Sequence, residues 1–149
     1  MSVIKTLEKL YWSSVGCFFM MSAMILIMPV IESNEKAIIP IGLAFWFFAI
    51  SGYILLIVAN VEFKRISGNL RKNKRSLPGI ISFFSNKIAM IADVAVIISI
   101  VAFVIICITE LRFKYIAFVV LFLLIFSLHM HCLFNGRIYK LIKNEKERY

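Results

Sequence analysis

Residues 88–108 read IAMIADVAVIISIVAFVIICI and contain a single charged side chain, that of Asp93. A run of about 20 apolar residues is long enough to cross the ~30 Å hydrocarbon layer of a bilayer as one helix. A helix on the surface of a soluble protein would carry a polar stripe, and this stretch has none. The stretch therefore predicts a membrane-spanning helix, and it raises the question of why one carboxylate is kept inside it.

Three more apolar runs accompany this one, and the hydrophobic fraction of the chain is 62%, compared with roughly 45–50% in soluble domains. The mean hydropathy is +0.93. Because the loops ESNEK and TELRFK are short, neighbouring spans should be antiparallel. We predict an all-α polytopic membrane protein, a single four-helix domain over residues 1–149 built from two antiparallel hairpins. The predicted spans are about residues 10–31, 38–61, 88–108 and 115–134.

The 17 Lys and Arg residues are distributed unevenly along the chain. Fourteen lie in the N-terminal stretch, in the loop 62–87 or in the tail 135–149, and three lie in the other two loops. The positive-inside rule places the more basic side of a membrane protein in the cytoplasm. We therefore predict that the N-terminus, the C-terminus and the 62–87 loop are cytoplasmic. The Ile- and Lys-rich composition favours a bacterial cytoplasmic membrane.

The middle loop contributes a concentrated basic patch. Such patches attract anionic lipid headgroups by about 1 kcal/mol per residue near the surface, and they also serve as docking surfaces. Nucleic acid is not expected as a partner, because no recognition motif accompanies the charge. The candidate anionic-lipid or docking patch consists of Lys64, Arg65, Arg71, Lys72, Lys74, Arg75 and Lys87.

The polar side chains inside the predicted spans gather in one layer near the basic side. With a rise of about 1.5 Å per residue, Asp93 lies roughly 7–8 Å inside its span and His129 lies about equally deep. His131 is nearer the surface, and the first two spans bring further polar groups to similar levels. The candidate intramembrane site consists of Asp93, His129, His131, Ser13, Ser14 and Asn60.

A charged residue inside a bilayer costs about 2.5–3.5 kcal/mol at the centre and less near the interface, so Asp93 should have a partner. We expect that partner to be a histidine of the fourth span. His129 and His131 point about 160° apart on a helix, so only one of them can face Asp93. His129 matches the depth of Asp93 better, whereas His131 continues a polar stripe with Ser127 and Asn135.

Three interpretations of this layer remain open at this point: a purely structural pairing, a proton- or ion-linked site, and a metal site that combines Asp93 with His129 and Cys132. The last has too few ligands to hold zinc. Catalytic motifs such as a nucleophile elbow, a P-loop or an H-E-x-x-H helix do not occur in the sequence. We expect no metal, no cofactor and no enzymatic activity.

Small residues form stripes along three of the predicted spans, and such stripes let membrane helices pack closely. These faces should point into the bundle or at a partner. The stripes are Ser13, Gly16 and Ala23; Ala49, Gly52 and Ala59; and Ala92, Ala95, Ser99 and Ala102.

Two short apolar stretches outside the spans have the pattern of surface helices. Ile80, Ile81, Phe83 and Phe84 predict a short helix or an extension of the third span, and Ile138, Leu141 and Ile142 share one face of a tail helix.

The functional hypothesis is that of a small, non-enzymatic membrane protein. We expect an accessory, regulatory or immunity-type component of a larger membrane complex, whose partners are the lipid bilayer and either a second copy or other membrane proteins. The alternative is a small oligomeric transporter or channel, with a proton- or ion-linked polar site around Asp93 near the cytoplasmic side.

Overall fold

The computed structural model describes residues 2–31, 34–68, 83–109 and 114–146, and its regular secondary structure within these ranges is entirely helical. Four of the five helices, α1 to α4, are long and apolar enough to cross a membrane. The predicted all-α class with four membrane-length helices is thereby confirmed. The helices are α1 (Ser2–Ile31), α2 (Glu35–Gly68), α3 (Lys87–Thr109), α4 (Lys114–Phe134) and α5 (Arg137–Lys146).

The first two helices are longer than the predicted spans. α1 begins at Ser2, because the amphipathic stretch before residue 10 continues the same helix into the apolar run. α2 continues to Gly68, so the first part of the predicted 62–87 loop is helical. The basic residues of this part therefore project from a helix.

The helices are arranged in the order α2, α1, α4, α3. α1 packs on both α2 and α4, whereas the extensive contacts of α3 are with α4. The short helix α5 contacts α1, α2 and α4, and it buries Ile138, Tyr139 and Ile142 against the end of the bundle. The predicted tail helix is thus present, and its apolar face is covered by protein.

Apolar side chains cover most of the outward surface of the four long helices. Trp46 of α2 is 63% exposed and Ile91 of α3 is 69% exposed, and many other large apolar side chains are also exposed. A soluble protein rarely leaves apolar patches of this extent in water. The surface is therefore suited to contact with lipid acyl chains.

Two of the three small-residue stripes lie in helix interfaces. Ala49, Gly52 and Ala59 of α2 are buried, and a Cβ atom added to Gly52 would lie 3.0 Å from Cε1 of Phe18 in α1. The stripe of α3 faces α4, with Ala92 and Ser99 buried. The α1 stripe differs: its Ser13 and Gly16 are exposed, and nothing lies within 4 Å of a Cβ added to Gly16.

One end of the bundle, here called the basic end, unites the start of α1, the end of α2, the start of α3, the end of α4 and all of α5. The contacts that define it include Trp12 with Phe134 and Tyr11 with Tyr139. Residues 83–86, called the 83–86 segment below, lie at the basic end and are not helical. The part of the expected helix that includes Phe83 and Phe84 is therefore a bend, and the part before it lies outside the described residues.

Candidate functional site: a buried carboxylate clasp

Asp93 lies in the second turn of α3, on the face that packs against α4, and its exposed fraction is 0%. The neighbouring residues on this face include Ala89 and Ala92, which are small and buried. Small side chains allow the backbones of two membrane helices to approach closely. This close approach brings the polar groups of α4 within hydrogen-bond distance of the Asp93 carboxylate.

Three donors bind the Asp93 carboxylate. His131 Nδ1 lies 2.6 Å from Oδ1, Asn135 donates from Nδ2 to the same oxygen at 2.8 Å, and the backbone N–H of Phe84 donates to Oδ2 at 2.5 Å. An ionised carboxylate only accepts hydrogen bonds, so with Asp93 ionised His131 donates from Nδ1. We call this group of Asp93, His131, Asn135 and the Phe84 N–H the Asp93 clasp.

His131 and Asn135 act together because they are four residues apart near the end of α4, on one face of a helix. Both are almost fully buried, with exposed fractions of 4% and 3%. The Asn135 amide also accepts a hydrogen bond from the backbone N–H of Ser85 at 3.4 Å. Asn135 therefore links the end of α4 both to α3 and to the 83–86 segment.

Asn86 makes a second connection at the same place. Its Oδ1 accepts a hydrogen bond from the backbone N–H of Ala89 at 2.9 Å, in the manner of a helix N-cap for α3. Its Nδ2 donates to the carbonyl oxygen of Phe134 at 3.0 Å. The residue that caps the start of α3 thus also satisfies a carbonyl group left open at the end of α4.

The backbone at Phe84 has an unusual conformation, with a φ of 52°. This left-handed region costs a non-glycine residue about 1–2 kcal/mol. The conformation aims the Phe84 N–H at Asp93, and a hydrogen bond to a charged group contributes about 1.5–3 kcal/mol, which offsets that cost. Phe83 packs its ring on His131 with 4.6 Å between the ring centroids.

His129 lies on the opposite side of α4 and makes a different contact. Its Nδ1 lies 2.7 Å from the carbonyl oxygen of Ile125, which can only accept, so Nδ1 carries a proton. In the neutral ring, Nε2 then accepts a hydrogen bond from the Tyr53 hydroxyl of α2 at 3.0 Å. The ring of Phe18 from α1 packs on His129 at 4.5 Å, so this second polar contact joins three helices.

Two of the remaining members of the predicted polar layer, Ser14 and Asn60, bond to their own helices. Ser14 is buried and donates to the carbonyl oxygen of Tyr11 at 2.7 Å, and Asn60 is exposed and donates to that of Leu56 at 2.8 Å. Ser13 is exposed. Within the described ranges, none of these three side chains takes part in the Asp93 clasp. The structure therefore brings Asp93 and His131 together and leaves the other four predicted residues outside.

The predicted basic patch is described in part. Lys64 and Arg65 are exposed near the end of α2, where Arg65 lies 3.9 Å from Glu62, and Lys87 is exposed at the first position of α3. The other four residues, Arg71, Lys72, Lys74 and Arg75, lie outside the described residues. The clasp holds the chain immediately before Lys87 against the end of α4.

The clasp combines one carboxylate, one imidazole, one side-chain amide and one backbone N–H. Among the residues that the structure describes, no group of three or more His, Cys, Asp and Glu side chains is placed to hold a metal ion. The sequence singled out Asp93, offered His131 as one of two alternative partners, and placed Asn135 on the polar stripe of His131. The Phe84 donor is a backbone group, and the Tyr53 contact of His129 depends on helix packing, so no sequence signal indicated either.

Comparison of the chain with protein-family models, with curated protein sequences and with solved structures finds no match. The class of the protein is therefore defined by its own fold: an all-helical protein with four helices long and apolar enough to cross a membrane.

Proposed function

We propose that this chain is a non-enzymatic integral membrane protein that serves as an accessory, regulatory or immunity-type component of a larger membrane complex. The observation that carries the proposal is the pairing of both oxygens of the Asp93 carboxylate, whose three donors come from the end of α4 and from the 83–86 segment before α3. Buried polar networks of this kind, fully paired, rigidify a fold and specify its geometry. The clasp thus supports an architectural role for Asp93.

The proposed location is a bacterial cytoplasmic membrane, with both termini and the basic end in the cytoplasm. The positive-inside rule supports this orientation, since the described exposed cations at the basic end include Lys5, Lys9 and Lys140. The opposite end of the described chain includes one exposed cation, Lys36.

The proposed docking surface for the larger complex is the basic end. The Asp93 clasp supports this role, because it fixes residues 83–87, which end the basic loop, to the bundle. A docking segment that is anchored in this way loses less conformational entropy when it binds a partner.

The test is purification of the chain in mild detergent from the cells that make it, after cross-linking in the intact membrane. We expect a complex with one membrane protein in a fixed ratio, and loss of that complex when Lys64, Arg65 and Lys87 are changed to Gln. Lys36→Gln, at the opposite end, is the matched control. Recovery of the monomer alone, under several mild conditions, would contradict the proposal.

The alternative function is a small oligomeric transporter or channel with a proton- or ion-linked site around Asp93. The direct contact of 2.6 Å between Asp93 and His131 favours it, because ionisable pairs inside membranes often mark transport pathways. Asp93→Asn in proteoliposomes distinguishes the two functions. A transporter should lose its proton or ion flux with Asp93→Asn and retain that flux with His129→Gln. An accessory protein should show no proton or ion flux before or after either change.

A further inference from the structure

Exposed cations lie at the basic end of the bundle. Five of them come from three different helices and define what we call the cation collar: Lys5, Lys9, Lys87, Arg137 and Lys140. They are brought together because the start of α1 and the start of α3 lie beside the junction of α4 and α5.

The five cations of the collar outnumber the acidic side chains described at this end, which are Glu8, Glu62 and Asp93. Glu62 lies beside Arg65, and Asp93 is fully buried in the clasp. Glu8 is only partly exposed. The collar therefore presents a net positive potential to whatever surrounds the bundle at this level.

Exposed aromatic side chains accompany the collar. Trp12 follows Lys9 by one helical turn and is 41% exposed, and Phe83 and Phe84, just before Lys87, are 50% and 54% exposed. Aromatic residues next to cations are typical of the interface between acyl chains and headgroups. The cations come from three helices and stand next to exposed apolar side chains, the combination that a lipid layer with anionic headgroups contacts.

We propose that the cation collar binds anionic phospholipid headgroups and thereby selects a shell of acidic lipids around the basic end. The ligand chemistry is a phosphodiester with net negative charge, held in a bilayer. This inference rests on the membrane location proposed above and names the lipid partner of the basic end. It does not depend on the accessory role, so the two proposals can fail separately.

The two tryptophans of the chain provide a probe and its internal control. Trp12 lies at the collar, and Trp46 is exposed in the first half of α2, away from the basic end. Trp46→Phe leaves Trp12 as the only indole, and Trp12→Phe leaves Trp46. Each single-tryptophan protein is reconstituted in vesicles in which either phosphatidylglycerol or phosphatidylcholine carries bromine, which quenches neighbouring tryptophan fluorescence.

For Trp12, we expect the binding constant of phosphatidylglycerol relative to phosphatidylcholine to be about 5, the ratio that one cation near the surface supplies. For Trp46 we expect a ratio near 1. In about 1 M salt the ratio at Trp12 should approach 1, because the Debye length falls to about 3 Å.

Neutralising the collar by changing its five residues to Gln should bring the ratio at Trp12 to about 1. Changing its four lysines to Arg should preserve the ratio, and Lys36→Gln should leave it unchanged. The midpoint of thermal unfolding of each variant, compared with that of the unmodified protein, shows whether the bundle is intact. The proposal would be overturned if phosphatidylglycerol bound near Trp12 no better than phosphatidylcholine when the collar is unmodified. It would also be overturned if the preference remained after the five cations were changed to Gln.

A final arm separates a lipid headgroup from free phosphate. Inorganic phosphate, added at an ionic strength matched with chloride, should leave the ratio at Trp12 unchanged if the collar recognises lipid in the bilayer. Displacement of the brominated phosphatidylglycerol by inorganic phosphate would assign the collar to a soluble anion and reject the lipid proposal.

Discussion

At the scale of single residues, Asp93 explains how an apolar helix accommodates a carboxylate. Its side chain is fully buried, and its oxygens accept hydrogen bonds from one imidazole, one amide and one backbone N–H. Each donor replaces part of the hydration that the carboxylate loses in the membrane. Asp93 is therefore tolerated because the surrounding α3–α4 structure supplies its solvation.

We predict that Asp93→Ala destabilises the protein by about 2–6 kcal/mol, because it leaves the buried donors of His131 and Asn135 without their acceptor, at about 1–3 kcal/mol each. Reversible unfolding in mixed detergent micelles, followed by circular dichroism, measures this loss. Asn60→Ala is the control, since Asn60 is exposed and donates to the carbonyl oxygen of Leu56 in its own helix, and it should change stability by less than about 0.5 kcal/mol. Equal effects of the two substitutions would refute the clasp.

At the scale of the helices, two kinds of contact hold the bundle together. α3 and α4 are joined by the Asp93 clasp on a face of small residues, whereas α1 and α2 meet where Gly52 admits the ring of Phe18. Tyr53 and His129 add a polar contact between α2 and α4. Close packing and interhelical hydrogen bonds are the forces that associate helices in lipid.

Gly52→Val should weaken the α1–α2 contact by about 1–3 kcal/mol, the usual cost of forcing extra atoms into a packed interface. A Cβ at this position already lies 3.0 Å from Phe18 and 3.2 Å from Cβ of Cys17. Thermal unfolding in detergent measures the change. Gly16→Val, on the exposed face of α1 where a Cβ meets nothing within 4 Å, is the matched control and should unfold like the unmodified protein. A similar loss in both variants would show that packing at Gly52 is not the cause.

At the scale of the whole molecule, the bundle is asymmetric along its length. The basic end contains the Asp93 clasp, the helix α5 and the cation collar. The other end is formed by the described turn at Asn34 and by the far ends of α3 and α4. This asymmetry is the basis for the proposed cytoplasmic orientation of the basic end.

The orientation predicts which cysteines react with a membrane-impermeant thiol reagent in intact cells. In a background with Cys17, Cys107 and Cys132 changed to Ala, Asn34→Cys should be labelled from outside, because Asn34 is exposed at the end opposite the collar. Lys140→Cys, exposed on α5, should react only after the cells are opened. Labelling of position 140 in intact cells would reverse the proposed topology.

Much of this architecture was predictable because hydropathy and charge are local properties of the chain. Four apolar runs are enough to specify four membrane-length helices, and the positions of the lysines and arginines specify one basic side. The helix limits were less predictable, because α1 and α2 continue through polar residues that hydropathy alone assigns to loops.

The sequence by itself determined that this is an all-helical chain with four membrane-length helices, and that Asp93 lies at a depth where a histidine of α4 can reach it. Only the tertiary structure decided that His131 is that histidine and that His129 instead meets Tyr53. The physical reason is that depth depends on residue number along a helix, whereas the choice between two side chains about 160° apart depends on how α4 is rotated against its neighbours. That rotation is set by side-chain packing across three helices, which no single stretch of sequence encodes.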